Sequence, residues 1–120
     1  MKRKVLLVVM CMTLLLSGCD KKLKEEDYIG TWKTEEYVSK ENNATYIRTL
    51  EVYKGGAGKI ISYNVTEDEI ANEMAMSWTL VEDNEILSME TQLLGTYGFE
   101  YDKENNTLIQ QDEDLVFTKQ

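Results

Sequence analysis

A series of short strand-like segments joined by polar turns, several of which alternate apolar and polar residues, is the feature that most constrains the fold of this chain. The clearest segment runs from Thr45 to Tyr53, and the glycine-rich turn Lys54–Gly58 follows it. Within it, Arg48, Leu50 and Val52 share one face. The other segments are Lys33–Lys40, Lys59–Val65, Met76–Val81, Ile86–Met89, Tyr97–Asp102, Thr107–Gln111 and Leu115–Lys119. A period of two residues is typical of half-buried strands. The sequence therefore predicts an all-β domain of about eight strands, an antiparallel meander that forms a barrel or a sandwich.

One stretch between these segments has helical spacing. Thr66 and Glu69 stand three residues apart, which is the spacing of a capping box. Ile70 and Met74 form an apolar pair four residues apart, as on one face of a helix. The pattern favours a short helix near residues 66–74, after which a strand resumes near Met74 or Met76.

The N-terminus has the pattern of a targeting segment. Lys2, Arg3 and Lys4 precede an apolar run from Val5 to Leu16. A helix of that length rises only about 18 Å, well short of the roughly 30 Å hydrocarbon core of a bilayer. The sequence therefore predicts a cleaved signal peptide, not a membrane span.

The four residues Leu16-Ser17-Gly18-Cys19 resemble the lipobox of bacterial lipoproteins. The resemblance implies that Cys19 receives a diacylglyceryl group, and that a peptidase cuts between Gly18 and Cys19. Two acyl chains hold a protein stably at a membrane. The resulting organisation is a signal peptide at 1–18, a lipidated N-terminus and tether at 19–26, and a β domain at 27–120. In the alternative interpretation, the signal is an ordinary secretory one and Cys19 is incidental.

This signal predicts a lipid-anchored protein on the extracytoplasmic side of a bacterial cell membrane. The membrane is then the first partner, contacted through diacylglyceryl-modified Cys19. Residues 25–120 hold 21 acidic and 7 basic side chains, a formal charge of −14. Such a surface repels nucleic acid, so no nucleic-acid partner is expected. Because Cys11 leaves with the signal and Cys19 is alkylated, the domain has to fold without a disulfide.

The residue types needed for common catalytic machinery are missing from this chain. It contains no histidine, which excludes Ser-His-Asp and Cys-His nucleophilic sets and the usual zinc sites. It has no glycine-rich phosphate loop either. Its carboxylates fall mostly in turns, where a solvated surface is the simpler interpretation. We therefore expect a non-enzymatic protein with no catalytic residues, no metal site and no cofactor. A carboxylate-dependent hydrolase is the remaining enzymatic alternative.

The residues Gly30-Thr31-Trp32 match the Gly-x-Trp signature of lipocalins, at the place where the first barrel strand should begin. With Leu50–Gly58, Trp78–Leu80 and Phe117–Lys119 they resemble, in order, the landmarks of small lipocalin-like bacterial lipoproteins. The resemblance covers residues 28–120. It implies a small lipocalin-like barrel in which Trp32 packs across the closed end. The Thr-Asp-Tyr signature and the late arginine that stacks on this tryptophan in lipocalins have no evident counterpart.

Two interpretations of the aromatic residues remain open. In the first, a set of rings lines a pocket for a small hydrophobic ligand, assisted by methionine side chains. The candidate ligand-binding residues are Trp32, Trp78, Tyr97, Phe99 and Tyr101. In the second, the same rings form the core of a filled barrel, and the domain binds an envelope protein through its outer surface. A cavity framed by Trp32 and Trp78 would favour the carrier.

Overall fold

The fold is a closed antiparallel β-barrel. A computed structural model describes residues 23–91 and 95–120. Within these residues the elements are α1 Glu25–Tyr28, β1 Gly30–Lys33, β2 Tyr37–Val38, β3 Thr45–Val52, β4 Ala57–Asn64, β5 Glu69–Val81, β6 Ile86–Thr91, β7 Gly95–Asp102, β8 Thr107–Gln110 and β9 Val116–Lys119. Eight strands close the barrel, and β2 is an additional strand beside β3. The predicted all-β antiparallel fold is therefore confirmed, in its barrel form.

Strand β1 closes the barrel. It pairs with β3 on one side, where Trp32 lies opposite Leu50. It pairs with β9 on the other side, where Trp32 lies opposite Lys119. The strands from β3 to β9 are neighbours in chain order. The Gly30-Thr31-Trp32 motif therefore lies where the first and last parts of the chain meet.

A single core of apolar side chains occupies the barrel. The predicted alternation is clear in β5, where Met76 and Trp78 are buried while Ser77 and Thr79 are exposed. The buried apolar side chains of the helix and strands are Tyr28, Trp32, Leu50, Val52, Ile60, Met76, Trp78, Leu87, Met89, Phe99, Leu108 and Phe117. Each of the eight barrel strands contributes at least one of them, so burial of apolar surface holds the whole barrel together.

The prediction of a short helix near residues 66–74 is wrong. Strand β5 begins at Glu69, and its first residues pair with β4, with Ile70 opposite Tyr63 and Met74 opposite Ile60. The Thr66 hydroxyl accepts a hydrogen bond from the Thr45 N–H at 3.0 Å, so it caps the end of β3 instead of a helix. Cross-strand pairing thus outweighs a local helical pattern of only two contacts.

The N-terminal side of the domain differs from the sequence-based prediction in three details. Helix α1 was not predicted, and its first residues fall in the stretch assigned to the tether. Leu23 is already buried in the core, so the folded part begins before Asp27. The predicted strand at Lys33–Lys40 is divided into the end of β1 and the two-residue β2, with exposed Glu35 and Glu36 between them.

The proposed signal peptide at 1–18, the Gly18–Cys19 cleavage point and residues 19–22 of the tether lie outside the described residues. Among the residues described, the only helix is α1, and none reaches the length and hydropathy of a membrane-spanning helix.

Candidate functional site

One end of the barrel is covered by α1 and by buried aromatic rings, and we call it the closed end. Tyr28 and Trp32 have no exposed surface. The Trp32 Nε1–H donates to the Tyr28 carbonyl at 2.9 Å. The Tyr28 hydroxyl donates to the Asn84 carbonyl at 2.7 Å, and the Asn84 side-chain amide donates to the Leu23 carbonyl at 3.0 Å. These bonds join α1, β1 and the β5–β6 turn, which fixes the start of the folded chain at this end.

A basic side chain from the last strand covers the Trp32 ring. The Lys119 Nζ lies 5.3 Å from the ring centroid, within cation–π range. It also donates to the Asp27 carbonyl at 3.3 Å. The side chain runs past Gly30, where a Cβ would lie 2.9 Å from the Lys119 Cε and where φ is +141°. A glycine is therefore required at the first position of the motif.

Lys119 was not recognised from the sequence as a residue of this site. The sequence does contain a pattern that could have identified it. Phe117 and Lys119 are two residues apart in the last predicted strand and therefore share a face. Phe117 is fully buried in the core. Sequence alone does not tell which inward residue of β9 meets the tryptophan, because that depends on the register with β1.

The five candidate ligand-binding residues lie at different levels of the barrel. Trp32 and Tyr101 meet at the closed end with centroids 6.0 Å apart, and Tyr101 also packs edge-to-face on Tyr28 at 5.3 Å. Phe99 is fully buried against Phe117, at 5.6 Å. Each of these three rings thus contacts another aromatic ring of the core, as buried aromatic rings commonly do.

The other two candidates stand apart from that group in the contacts they make. Trp78 lies beside the β3–β4 turn, where its Nε1–H donates to the Tyr53 carbonyl at 2.9 Å. Tyr97 is half-buried and lies opposite Met89 in the sheet. Both tryptophan N–H groups are thus already bonded to the backbone, and hydrogen bonding to a ligand would require breaking those bonds.

Burial also affects the ionisation of two tyrosine hydroxyls at the closed end. It raises the pKa of the Tyr28 hydroxyl far above its ordinary value, and the nearby Tyr101, Asp27 and Glu85 add to the effect. Burial likewise raises the pKa of Tyr101. Both phenols are therefore neutral hydrogen-bonding groups at physiological pH and have no character of a general base.

The opposite end, which we call the open end, carries a largely buried arginine. Arg48 is in β3, and its side chain is only 17% exposed. Its backbone N–H donates to the hydroxyl of buried Thr34 at 3.0 Å. The guanidinium reaches towards the β8–β9 loop, where Nη1 donates to Gln110 Oε1 at 2.9 Å and to Glu113 Oε2 at 3.3 Å.

The surroundings of the Arg48 guanidinium are aromatic on one side and acidic on the other. It lies 5.8 Å from the Tyr37 ring centroid, and Tyr37 stacks on Tyr46 at 6.2 Å. Burial raises the pKa of Tyr37, while the positive charge of Arg48 opposes that rise. The Arg48 Nε is fully buried, yet it has no hydrogen-bond acceptor among the described residues.

Arg48 was not predicted from the sequence to be a site residue. The signal was again present, because the predicted alternation puts Arg48 on the same face as Leu50 and Val52. An arginine on the buried face of a strand needs a buried partner or a ligand. Its partners are contributed by the β8–β9 loop, which no local pattern in β3 can reveal.

The fold and its two ends define an eight-stranded antiparallel barrel, with an aromatic closed end and a polar open end that contains one buried cation. No group of three or more metal-ligating side chains occurs in the part of the chain that is described. Comparison of the chain with protein-family models, with curated proteins and with solved structures finds no match.

Proposed function

We propose that this protein is a bacterial lipoprotein with a lipocalin-like barrel, held on the extracytoplasmic side of the cell membrane, and that it acts by binding and not by catalysis. The geometry of the Gly-x-Trp motif supports the lipocalin-like assignment. The motif begins at Gly30, the first residue of the first barrel strand, and Trp32 in this strand is covered by Lys119 from the last one. We infer that Lys119, which covers the Trp32 ring, serves here as the late arginine does in lipocalins.

The position of the N-terminus supports an orientation relative to the membrane. Leu23 is held at the closed end through its carbonyl. Cys19 precedes it by four residues, and four residues span at most about 14 Å. A lipid on Cys19 would therefore hold the closed end close to the bilayer, and the open end would face away from it.

The observation that carries the binding role is the contrast between the two ends. At the closed end, the N–H and O–H groups of Trp32 and Tyr28 have acceptors inside the protein. At the open end, the Arg48 Nε lacks one. A buried donor without an acceptor is unfavourable. A partner bound at the open end could supply this acceptor, so we assign the binding surface to that end. This favours a module that binds at its open end over a carrier that encloses an apolar ligand among the aromatic rings.

Lipidation is tested by radiolabelled palmitate incorporation in a bacterial host that processes lipoproteins. The wild-type chain should be labelled and should sediment with the membranes. Cys19→Ala should lose the label, whereas Cys11→Ala is a matched control in the signal segment and should keep it. Label that persists in Cys19→Ala would contradict the proposal.

The location of the binding surface is tested by native mass spectrometry on the chain purified from membranes. We expect the domain to carry no bound apolar molecule. An apolar molecule that is released on denaturation would contradict the assignment to the open end, and would direct attention back to Trp32 and Trp78.

A further inference from the structure

We propose that the open end binds a small zwitterionic carboxylic acid, that Arg48 receives its carboxylate, and that Glu113, bonded to Nη1 of the same guanidinium, competes with that carboxylate in the unliganded protein. This inference rests on the proposed binding function, since it names the ligand class for the same end of the barrel.

One N–H donor of Arg48, its Nε–H, is unused in the part of the chain that is described. Its Nη1 has two acceptors, the side chains of Gln110 and Glu113. Its Nε is buried and has none among the described residues. Arginine binds a carboxylate best through two parallel N–H···O bonds, which engage two nitrogens at once. A ligand carboxylate that reaches Nε would give this donor the acceptor it lacks.

The ion pair between Arg48 and Glu113 is weak. Glu113 approaches through a single oxygen at 3.3 Å, and its side chain is 45% exposed. Charge-assisted bonds of this type are ordinarily about 2.7–2.9 Å long. Ion pairs that are partly exposed contribute little to stability. Glu113 can therefore leave Arg48 at small cost and let another carboxylate take its place.

Gln110 is the fixed part of the site. It has no exposed surface, and its Nε2 donates to Asp112 at 3.0 Å and to Glu113 at 3.3 Å. Its Oε1 holds Arg48 Nη1. The guanidinium would thus keep its orientation when Glu113 leaves, and an oriented arginine binds without a further ordering cost.

The acidic residues beside the open end determine which ligand charge is favoured. A surface groove beside the open end is lined by Tyr37, Leu115 and Val116, and by the carboxylates of Glu35, Glu36 and Asp114. Tyr37 also lies against the Arg48 guanidinium. A second anionic group on the ligand would be repelled by these carboxylates, whereas an ammonium group would be attracted. The site therefore favours a carboxylate that also carries a positive charge.

Arg48 is the only arginine outside the predicted signal peptide. Its Nε–H group therefore gives a single guanidinium resonance in the NMR spectrum of the chain from Asp20 to Gln120, which contains every strand of the barrel. The probes are 4-aminobutyrate, butyrate and succinate, which share a four-carbon skeleton and differ in charge. We expect the Arg48 Nε–H resonance to shift most strongly with 4-aminobutyrate, less with butyrate and least with succinate.

The Glu113→Gln variant separates this proposal from a general salt effect. Because it removes the competing carboxylate, it should lower the Kd for 4-aminobutyrate by roughly two- to fivefold. Glu104→Gln, at an exposed position in the β7–β8 turn, is the matched control and should leave the Kd unchanged. The backbone amide spectrum reports whether each variant is folded.

Two results would overturn the inference. The first is an Arg48 resonance that responds to none of the probes in the wild type or in Glu113→Gln, which would mean that water alone satisfies Nε. The second is a response to succinate or butyrate at least as strong as that to 4-aminobutyrate, which would refute the charge argument. Neither result would affect palmitate labelling at Cys19, so failure here is distinguishable from failure of the lipoprotein proposal.

Discussion

The closed end makes the most specific prediction about stability, and Trp32→Phe tests it. The substitution keeps an aromatic ring but removes the N–H that donates to the buried Tyr28 carbonyl. A buried polar group left without its partner costs about 1–3 kcal/mol. The smaller ring also leaves space in a core position that has no exposure, and it weakens the contact with Lys119, which adds about 1 kcal/mol. We expect a total loss of about 3 kcal/mol.

A loss of this size is large for a domain of this length. Domains of 60–100 residues change their Tm by roughly 4–8 °C per kcal/mol, so Trp32→Phe should melt about 12–24 °C below the wild type. The assay is urea unfolding of residues 20–120, followed by circular dichroism in the wild type and in each variant, with the fluorescence of the remaining tryptophan as a second probe. The slope m should remain unchanged if the variant keeps its fold.

Trp78→Phe is the matched control. Its N–H also donates to a backbone carbonyl at 2.9 Å, but that bond is only partly buried. Water can replace the lost donor there, so we expect the free energy of unfolding to fall by only about 1 kcal/mol. If Trp32→Phe cost no more than Trp78→Phe, the role assigned to the Trp32 hydrogen bond would be refuted.

Three further predictions concern the barrel and its closed end. Gly58→Ala should destabilise the barrel by about 1–3 kcal/mol in thermal melts, because the new Cβ would lie 2.7 Å from Met89 Cε and 2.8 Å from the Glu51 carbonyl oxygen; an unchanged Tm would contradict the packing. The raised pKa of Tyr28 means that the folded state keeps a proton that the unfolded state loses near pH 10, so the free energy of unfolding should fall as the pH rises above about 10. Urea unfolding at pH 8 and pH 11 measures this, and equal values would refute it. Asn84→Asp removes the donor to the Leu23 carbonyl, so the amides of Asp27 and Ile29 should exchange faster with deuterium while those of β7 remain protected.

The strands of the barrel could be predicted from sequence because their signal is local and repeated. Thr45–Val52 and Gly95–Asp102 alternate with a period of two, and polar turns separate them from their neighbours. The short helix was not predictable in the same way. Helix α1 has a single turn and owes its position to contacts of Tyr28 with distant parts of the chain. Local propensity is weak in so short an element.

The candidate site was harder to predict than the fold. Of the five aromatic candidates, Trp32 and Tyr101 contact each other, but such contacts depend on the barrel register, which sequence does not give. Arg48 and Glu113 are 65 residues apart in the chain and meet because β1 pairs with β3 on one side and with β9 on the other, which brings the β8–β9 loop near β3. A site built from residues on non-adjacent strands follows from the topology, so it becomes visible only after the strands have been placed.

The wrongly predicted helix near residues 66–74 has a physical explanation in the exposed part of β5. Within the described residues, β6 pairs with β5 only from Ser77 onward, so the earlier part of β5 has a partner on the β4 side alone. An unpaired strand edge of this kind can pair with another chain unless charged side chains or a bulge prevent that pairing. The register with β4 shifts between Ser62 and Tyr63, and a bulge twists the edge away from a flat partner.

The charges on this part of β5 act in the same direction. Glu69 and Glu73 are both exposed, and Glu73 forms an ion pair with Lys59 at 3.0 Å. Strand edges that carry charged side chains resist edge-to-edge association. Glu69 is also the residue that completes the capping-box spacing with Thr66. A glutamate that protects a strand edge therefore led to the prediction of a helix. The capping-box spacing does not distinguish a carboxylate that caps a helix from one that keeps an exposed strand solvated.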